Sequence, residues 1–272
     1  FGDPAGGGGR HADARGVRGV PAGPSRVTII PGLTSTEKDR IPAFVRDLRA
    51  SEVREIALFP TVLDKGERVE LYGELASISG LTLPHVHLRT DCDEDEMQML
   101  VERFDTRFFN IHPEKSTHPF GVVPPRFTSM VFVENVQIVP EDGELAALGG
   151  ICPDYSHLES ARRLGWSEYV ETVERQLGAY RIGCCHVSAI RDGDPNPWNG
   201  GPDHHNFRQL SDLDYLKRYA RVLPEAWVSL ELENSLAEQL EASEYLEALL
   251  DLEGEHMDER VAPGLERDEP NR

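Results

Sequence analysis

No stretch of the 272-residue sequence approaches 18 consecutive apolar residues, which excludes a helical membrane span. The first 25 residues carry no apolar core segment of the secretory kind, so no signal peptide is expected. Cysteine is scarce. Cys92, Cys152, Cys184 and Cys185 form no C-x-x-C pair, which excludes a zinc knuckle or disulfide framework and fits a reducing cytoplasm. Lysine is scarce too: of 28 basic residues only Lys38, Lys65, Lys115 and Lys217 are lysines. Against them stand 48 acidic residues, for a formal net charge of -20. So acidic a surface repels a polyanion at long range, which argues against nucleic acid as a partner. The bias fits a protein adapted to high salt, or equally an arginine-rich composition inherited from a GC-rich genome. A phosphate-cradling glycine loop is also missing, because the first apolar run ends in Pro31-Gly-Leu-Thr-Ser-Thr36 with no G-x-G-x-x-G.

What is present is an alternation. Residues 1–25 are rich in Gly, Pro and Arg without hydrophobic periodicity and are expected to be a disordered tail; residues 253–272 read as a polar, acidic one. Between them, eight apolar runs read as strands, at 26–32, 54–62, 81–90, 106–114, 128–136, 149–157, 180–189 and 226–234. Amphipathic stretches near 36–50, 65–78, 93–104, 141–148, 159–179 and 211–221 separate most of them. After the last run, Leu236, Leu240, Leu246, Leu249 and Leu250 build one helical face, with Asn234 or Ser235 as the N-cap. Eight β/α units in residues 26–252 predict a single-domain α/β fold, a (β/α)8 TIM barrel.

Parallel α/β sheets place their chemistry at the carboxyl ends of strands, and metal-capable residues recur there. His85 and His87 close the third run, His112 the fourth and Glu134 the fifth. Asp154 and His157 follow the sixth, and His186 lies in the seventh. Asp203 and His205 lie in the next loop, and Glu231 and Glu233 end the eighth run. Taken alone, each is an ordinary polar residue. Converging on one mouth without a cation, the carboxylates would repel one another. A mixed imidazole and carboxylate set suits Zn, Mn, Co or Fe better than Mg or Ca.

The motifs FVENV, CPDYSHLESA, CCHVSAIRDG and VSLELEN, in this order, resemble those of the xylose-isomerase-like TIM barrels, a superfamily of sugar isomerases, ketose epimerases and the endonuclease IV family. The resemblance implies Glu134, Asp154, His186 and Glu231 as metal ligands, and His157 as a substrate-contacting or second-metal histidine. TLPHVHL, FNIHPEKS and PDHHN resemble endonuclease IV segments and add His85, His112, Asp203 and His205 to the implied ligand set. Glu233 shares a strand face with Glu231, so register leaves both open. The implied activity is a sugar or sugar-phosphate isomerase or epimerase that works through an enediolate. It uses one to three divalent ions (Mn, Co, Mg or Zn), with Glu134 and Glu231 as the proton-transferring pair and Arg191 on a substrate hydroxyl or phosphate. The alternative is an endonuclease IV-like multi-zinc phosphodiester hydrolase acting on DNA. Asp91, Asp93, Glu94, Asp95 and Glu96 near the expected mouth oppose a duplex backbone. Homo-oligomers are common in this superfamily and are an open expectation here.

Overall fold

A computed structural model describes residues 27–197, 199–224 and 227–258. The expected N-terminal tail, and most of the C-terminal one, lie outside the described residues. The chain opens with β1 (Thr28–Ile30) and β2 (Gly32–Thr34), then α1 (Ile41–Ala50), β3 (Ala57–Phe59), α2 (Lys65–Ala76) and β4 (His85–His87). There follow α3 (Glu94–Phe104), β5 (Phe108–Ile111), β6 (Val131–Glu134), α4 (Asp142–Ala147) and β7 (Ile151–Cys152). Next come α5 (Tyr155–Arg163), α6 (Ser167–Ala179), β8 (Cys185–Val187), β9 (Ala189–Ile190) and β10 (Asp203–His204). A 3-10 stretch over Leu210–Val222, β11 (Trp227–Leu230) and α7 (Leu236–Asp258) complete the order.

Local chemistry explains where the helices begin. Asp64 and Glu67 cap α2 reciprocally: the Asp64 carboxylate accepts the Glu67 N–H, and the Glu67 carboxylate accepts the Asp64 N–H. Asp93 accepts the Glu96 N–H at the start of α3. Ser235 and Glu238 form the same reciprocal pair at the start of α7, which makes Ser235 the cap. Phe44, Val45 and Leu48 on α1, and Leu236, Ala242, Leu246 and Leu249 on α7, are buried against the strands.

The strands are parallel, in the order β2-β3-β4-β5-β6-β7 in one sheet and β1-β11-β8 in another; β9 and β10 form a separate antiparallel hairpin. This corrects the expected (β/α)8 barrel, because hydrogen bonding divides the strands into a six-stranded and a three-stranded parallel sheet rather than one continuous ring. Proline is the physical reason at one boundary. Pro31 has no N–H to continue a ladder, so β1 pairs with β11 while β2 pairs with β3. At the other boundary β7 is two residues long and runs into Pro153. Toward β8 there is no ladder among the described residues, but the isolated bridges Ile151–Ile182 and Asp154–His186 are formed. Gly32 is required where the sheets meet, since a Cβ there would stand 2.0 Å from the Leu230 carbonyl oxygen. Gln239 of α7 fastens the same point, accepting the Gly32 N–H at 2.8 Å and donating to its carbonyl at 3.0 Å.

Candidate metal centre

The two sheets bring their carboxyl ends to one place. β4, β5, β6 and β7 deliver His87, His112, Glu134 and Asp154; β8 and β11 deliver His186 and Glu231. His186 lies at the middle. Its Nδ1 lies 3.8 Å from the Cys152 sulfur. Its Nε2 faces three carboxylates: Asp154 Oδ2 at 3.3 Å, Glu134 Oε1 at 3.4 Å and Glu231 Oε2 at 3.6 Å. All four side chains are buried. Burial opposes the charged imidazole of His186, yet Glu134 and Asp154 outweigh it and hold its pKa well above the usual range. Burial likewise opposes the Glu134 carboxylate, and His186 above all reverses this, drawing it well below its ordinary value.

Asp154 serves two structures at once. Its Oδ1 caps α5, accepting the Ser156 N–H at 2.7 Å and the His157 N–H at 2.9 Å. Its Oδ2 is left for His186 and for His157 Nε2, 3.4 Å away. The other nitrogen of His157 lies 3.4 Å from Asp203 Oδ2. Asp203 accepts further hydrogen bonds from Ser160 at 2.6 Å and Asn199 at 2.8 Å. Burial disfavours a charged His157, but Asp154 and Asp203 together raise its pKa to about 10. Burial also disfavours a charged Asp203, and its bond with His157 overrides this and lowers its pKa.

A second group shares Glu134. His87 Nε2 is 3.8 Å from Glu134 Oε2, and the His87 and His112 rings lie 4.8 Å apart, centroid to centroid. Burial and the neighbouring His112 push His87 down to about 3, so the ring is neutral and able to donate a lone pair.

Sequence reasoning noted His87 beside His85 and left it out of the ligand set. Its signal was strict alternation, since His85 and His87 must share a face. The structure sets the two at different depths. His85 lies one layer deeper, with its ring nitrogens on Ser229 and Asn110, and packs near Cys152 and His186. Glu233 is likewise resolved from Glu231, because its carboxylate accepts the Thr36 hydroxyl at 2.6 Å. Arg191 does not join the cluster. It donates to Asn206, pairs with Asp194 and lines a surface cavity with Arg163 and Arg208 that touches none of the proposed ligands. In the D-x-H segment Asp203 joins His157, while His205 contributes its carbonyl to the Glu233 N–H.

The site passes a physical test for a cation. His87 Nδ1 is buried with no hydrogen-bond partner, which is costly unless something else uses it, and His186 Nε2 meets its carboxylates only at 3.3–3.6 Å, without a hydrogen bond. Among the described residues, four groups of side chains have ligand atoms within 4.8 Å of one another: His85–Cys152–His186, His87–His112–Glu134, Glu134–Asp154–His157 and Asp154–His186–Glu231. Imidazole nitrogen with carboxylate oxygen is a donor set for a divalent ion.

No family model and no curated protein matches the sequence. Among solved structures, the dipeptide epimerase of Methylococcus capsulatus, complexed with Mg and the dipeptide L-Arg-D-Lys, aligns with a TM-score of 0.43 and 13% identity. The alignment covers 77% of this chain and 57% of the epimerase, so the chain spans less than two thirds of that protein's length. Arginase from Bacillus subtilis subsp. subtilis str. 168 gives a TM-score of 0.32 and 13% identity over 82% of this chain and 98% of its own. Formimidoylglutamase from the same strain gives 0.30 and 10% over 83% and 86%. Scores this low assign neither fold nor activity. These comparisons bring up no xylose-isomerase-like protein, and the resemblance to that superfamily and to endonuclease IV is corrected accordingly. Its motifs are a few residues each at strand ends, where unrelated α/β proteins also gather polar groups.

Proposed function

We propose that the chain is a divalent-metal-dependent isomerase or epimerase that moves a proton beside a carbonyl of a small carbohydrate-like substrate, through an enediolate. One observation carries the reading: the buried Nε2 of His186, which makes no hydrogen bond, faces the Glu134, Asp154 and Glu231 carboxylates at 3.3–3.6 Å. These four residues, with His87 and His112 beside Glu134, would hold the ion. When bound, it would polarise substrate oxygens and offset the negative charge that builds up as the proton leaves. Glu134 accepts that proton and Glu231 returns one, two carboxylates within reach of one imidazole. Asp154 and Asp203 orient His157, whose side chain is 17% exposed, at the open side of the cluster for contact with substrate. We place the protein in a reducing cytoplasm, which its four free cysteines support.

A second reading, metal-assisted phosphodiester hydrolysis of DNA, is favoured by Glu134 facing two donor groups at once, a layout suited to two cations. The acidic segment after β4 opposes it less than its composition implies. Asp91 and Glu96 pair with Arg68, Asp93 with Lys65, and Glu94 with Arg126.

Metal content of the purified protein, with rates on ketoses, sugar phosphates and an abasic-site duplex, tests both. Glu134→Gln keeps an acceptor oxygen and removes the base, so sugar turnover should collapse while metal is retained in part. Asp203→Asn keeps an oxygen that accepts from His157 and leaves the Glu134 base in place, so it should cost sugar turnover less than Glu134→Gln does. About one equivalent of Mn, Co or Mg with that pattern supports isomerisation. Two or three of Zn, with duplex incision lost in either variant, would overturn it in favour of hydrolysis.

A further inference from the structure

The pleat places a second layer of side chains directly beneath the proposed ligands. A residue two positions earlier on a strand faces the same way. His85 therefore stands under His87, Asn110 under His112 and Ser229 under Glu231. All three are 0% exposed. They form one chain of hydrogen bonds. Ser229 Oγ lies 2.8 Å from His85 Nδ1, His85 Nε2 lies 3.0 Å from Asn110 Oδ1, and Asn110 Nδ2 donates to Glu134 Oε2 at 2.7 Å.

The direction of the chain follows from its end. Glu134 as a carboxylate only accepts, so the Asn110 amide must turn its NH2 toward it. Reversed, the amide would set oxygen against carboxylate in a dry interior. Asn110 Oδ1 then faces His85 and requires a donor, which makes Nε2 the protonated nitrogen. Nδ1 is left to the Ser229 hydroxyl, 2.8 Å away. Each group fixes the polarity of the next.

We propose that His85 is a positioning residue: acting through Asn110, it holds Glu134 Oε2 in place and so leaves Oε1 directed at His186 and the cation site. This rests on the metal-centre reading above. It also gives a role to a histidine whose two ring nitrogens are already engaged by Ser229 and Asn110. Partners one step behind a ligand set its orientation, and losing one costs about 10–100-fold in metal affinity.

Glutamine places its amide nitrogen near the position of imidazole Nε2, whereas asparagine at the same site is too short to reach Asn110. Mn2+ and Zn2+ affinities of the full chain should therefore stay within about threefold of wild type in His85→Gln, and weaken about tenfold or more in His85→Asn. Asn110→Asp replaces the donor by an acceptor and should weaken binding as much as His85→Asn, which keeps the test open if one variant folds poorly. Nitrogen-15 NMR of the metal-free protein should show a proton on His85 Nε2, facing Asn110 Oδ1. Metal-free melting temperatures report purely structural damage. Loss of affinity in His85→Gln equal to that in His85→Asn would make His85 a ligand and overturn the proposal. Unchanged affinity in all three variants, with lowered melting temperatures, would reduce the chain to a structural role. A wild-type protein that binds neither ion overturns the metal-centre reading first, and is recognised because no variant is needed to see it.

Discussion

His186 draws three carboxylates toward one nitrogen atom, and removing it separates ligation from folding. His186→Ala should lower affinity for Mn2+ or Zn2+ by orders of magnitude, because it removes the imidazole donor from the set formed with Asp154 and Glu231. Equilibrium dialysis checks this; full metal content in the variant would make His186 a structural histidine. His157 gives a pH prediction for the metal-free protein. Its folded pKa, about 10, lies above the ordinary value of 6.5. Its pairing with Asp154 and Asp203 therefore stabilises fully below pH 6.5 and loses effect as pH rises through 10. The difference in urea midpoint between wild type and His157→Gln, followed across that window, should shrink toward alkaline pH. A difference that grows would show that the ring is held neutral. Most of these donors were visible in the sequence as polar residues ending apolar runs. The different surroundings of His87 and His85 were not, because the two share a strand face and differ only in depth.

At the scale of elements, each of the eight apolar runs contains a strand, since strand position is set by local apolar content and turn residues. Two features escaped. The stretch 159–179 is two helices, broken where Gly165 takes φ 76°, a left-handed turn that ends α5. The β9–β10 hairpin carries no alternation long enough to read; it exists because Asp203 and His204 pair with Ile190 and Ala189. The sheet boundary gives a stability prediction. In Gly32→Ala the new methyl would meet the backbone oxygen of Leu230, which cannot rotate away. β2 must shift from β11, and the Gln239 bonds with it. A loss of about 1–3 kcal/mol in chemical denaturation is expected, as for other overpacked interiors. A variant as stable as wild type would show that this junction is loosely packed.

For the whole molecule, a net charge of -20 means self-repulsion that salt relieves. The screening length falls from about 10 Å at 0.1 M to about 3 Å at 1 M salt. The metal-free melting temperature should therefore rise between those KCl concentrations, despite weakening of exposed pairs such as Lys65–Asp93. A falling melting temperature would mean that ion pairs outweigh the repulsion. The sequence alone determined the charge, the strand runs and the donor types, because composition and period-two alternation are local. Tertiary structure alone decided how the strands divide into two sheets, since that depends on which edges find partners around Pro31 and after Cys152. It also decided that His87 rather than His85 joins Glu134, that Glu233 turns to Thr36, and that Arg191 stays outside. Those outcomes depend on depth and on partners far apart in the chain, and no local pattern encodes either.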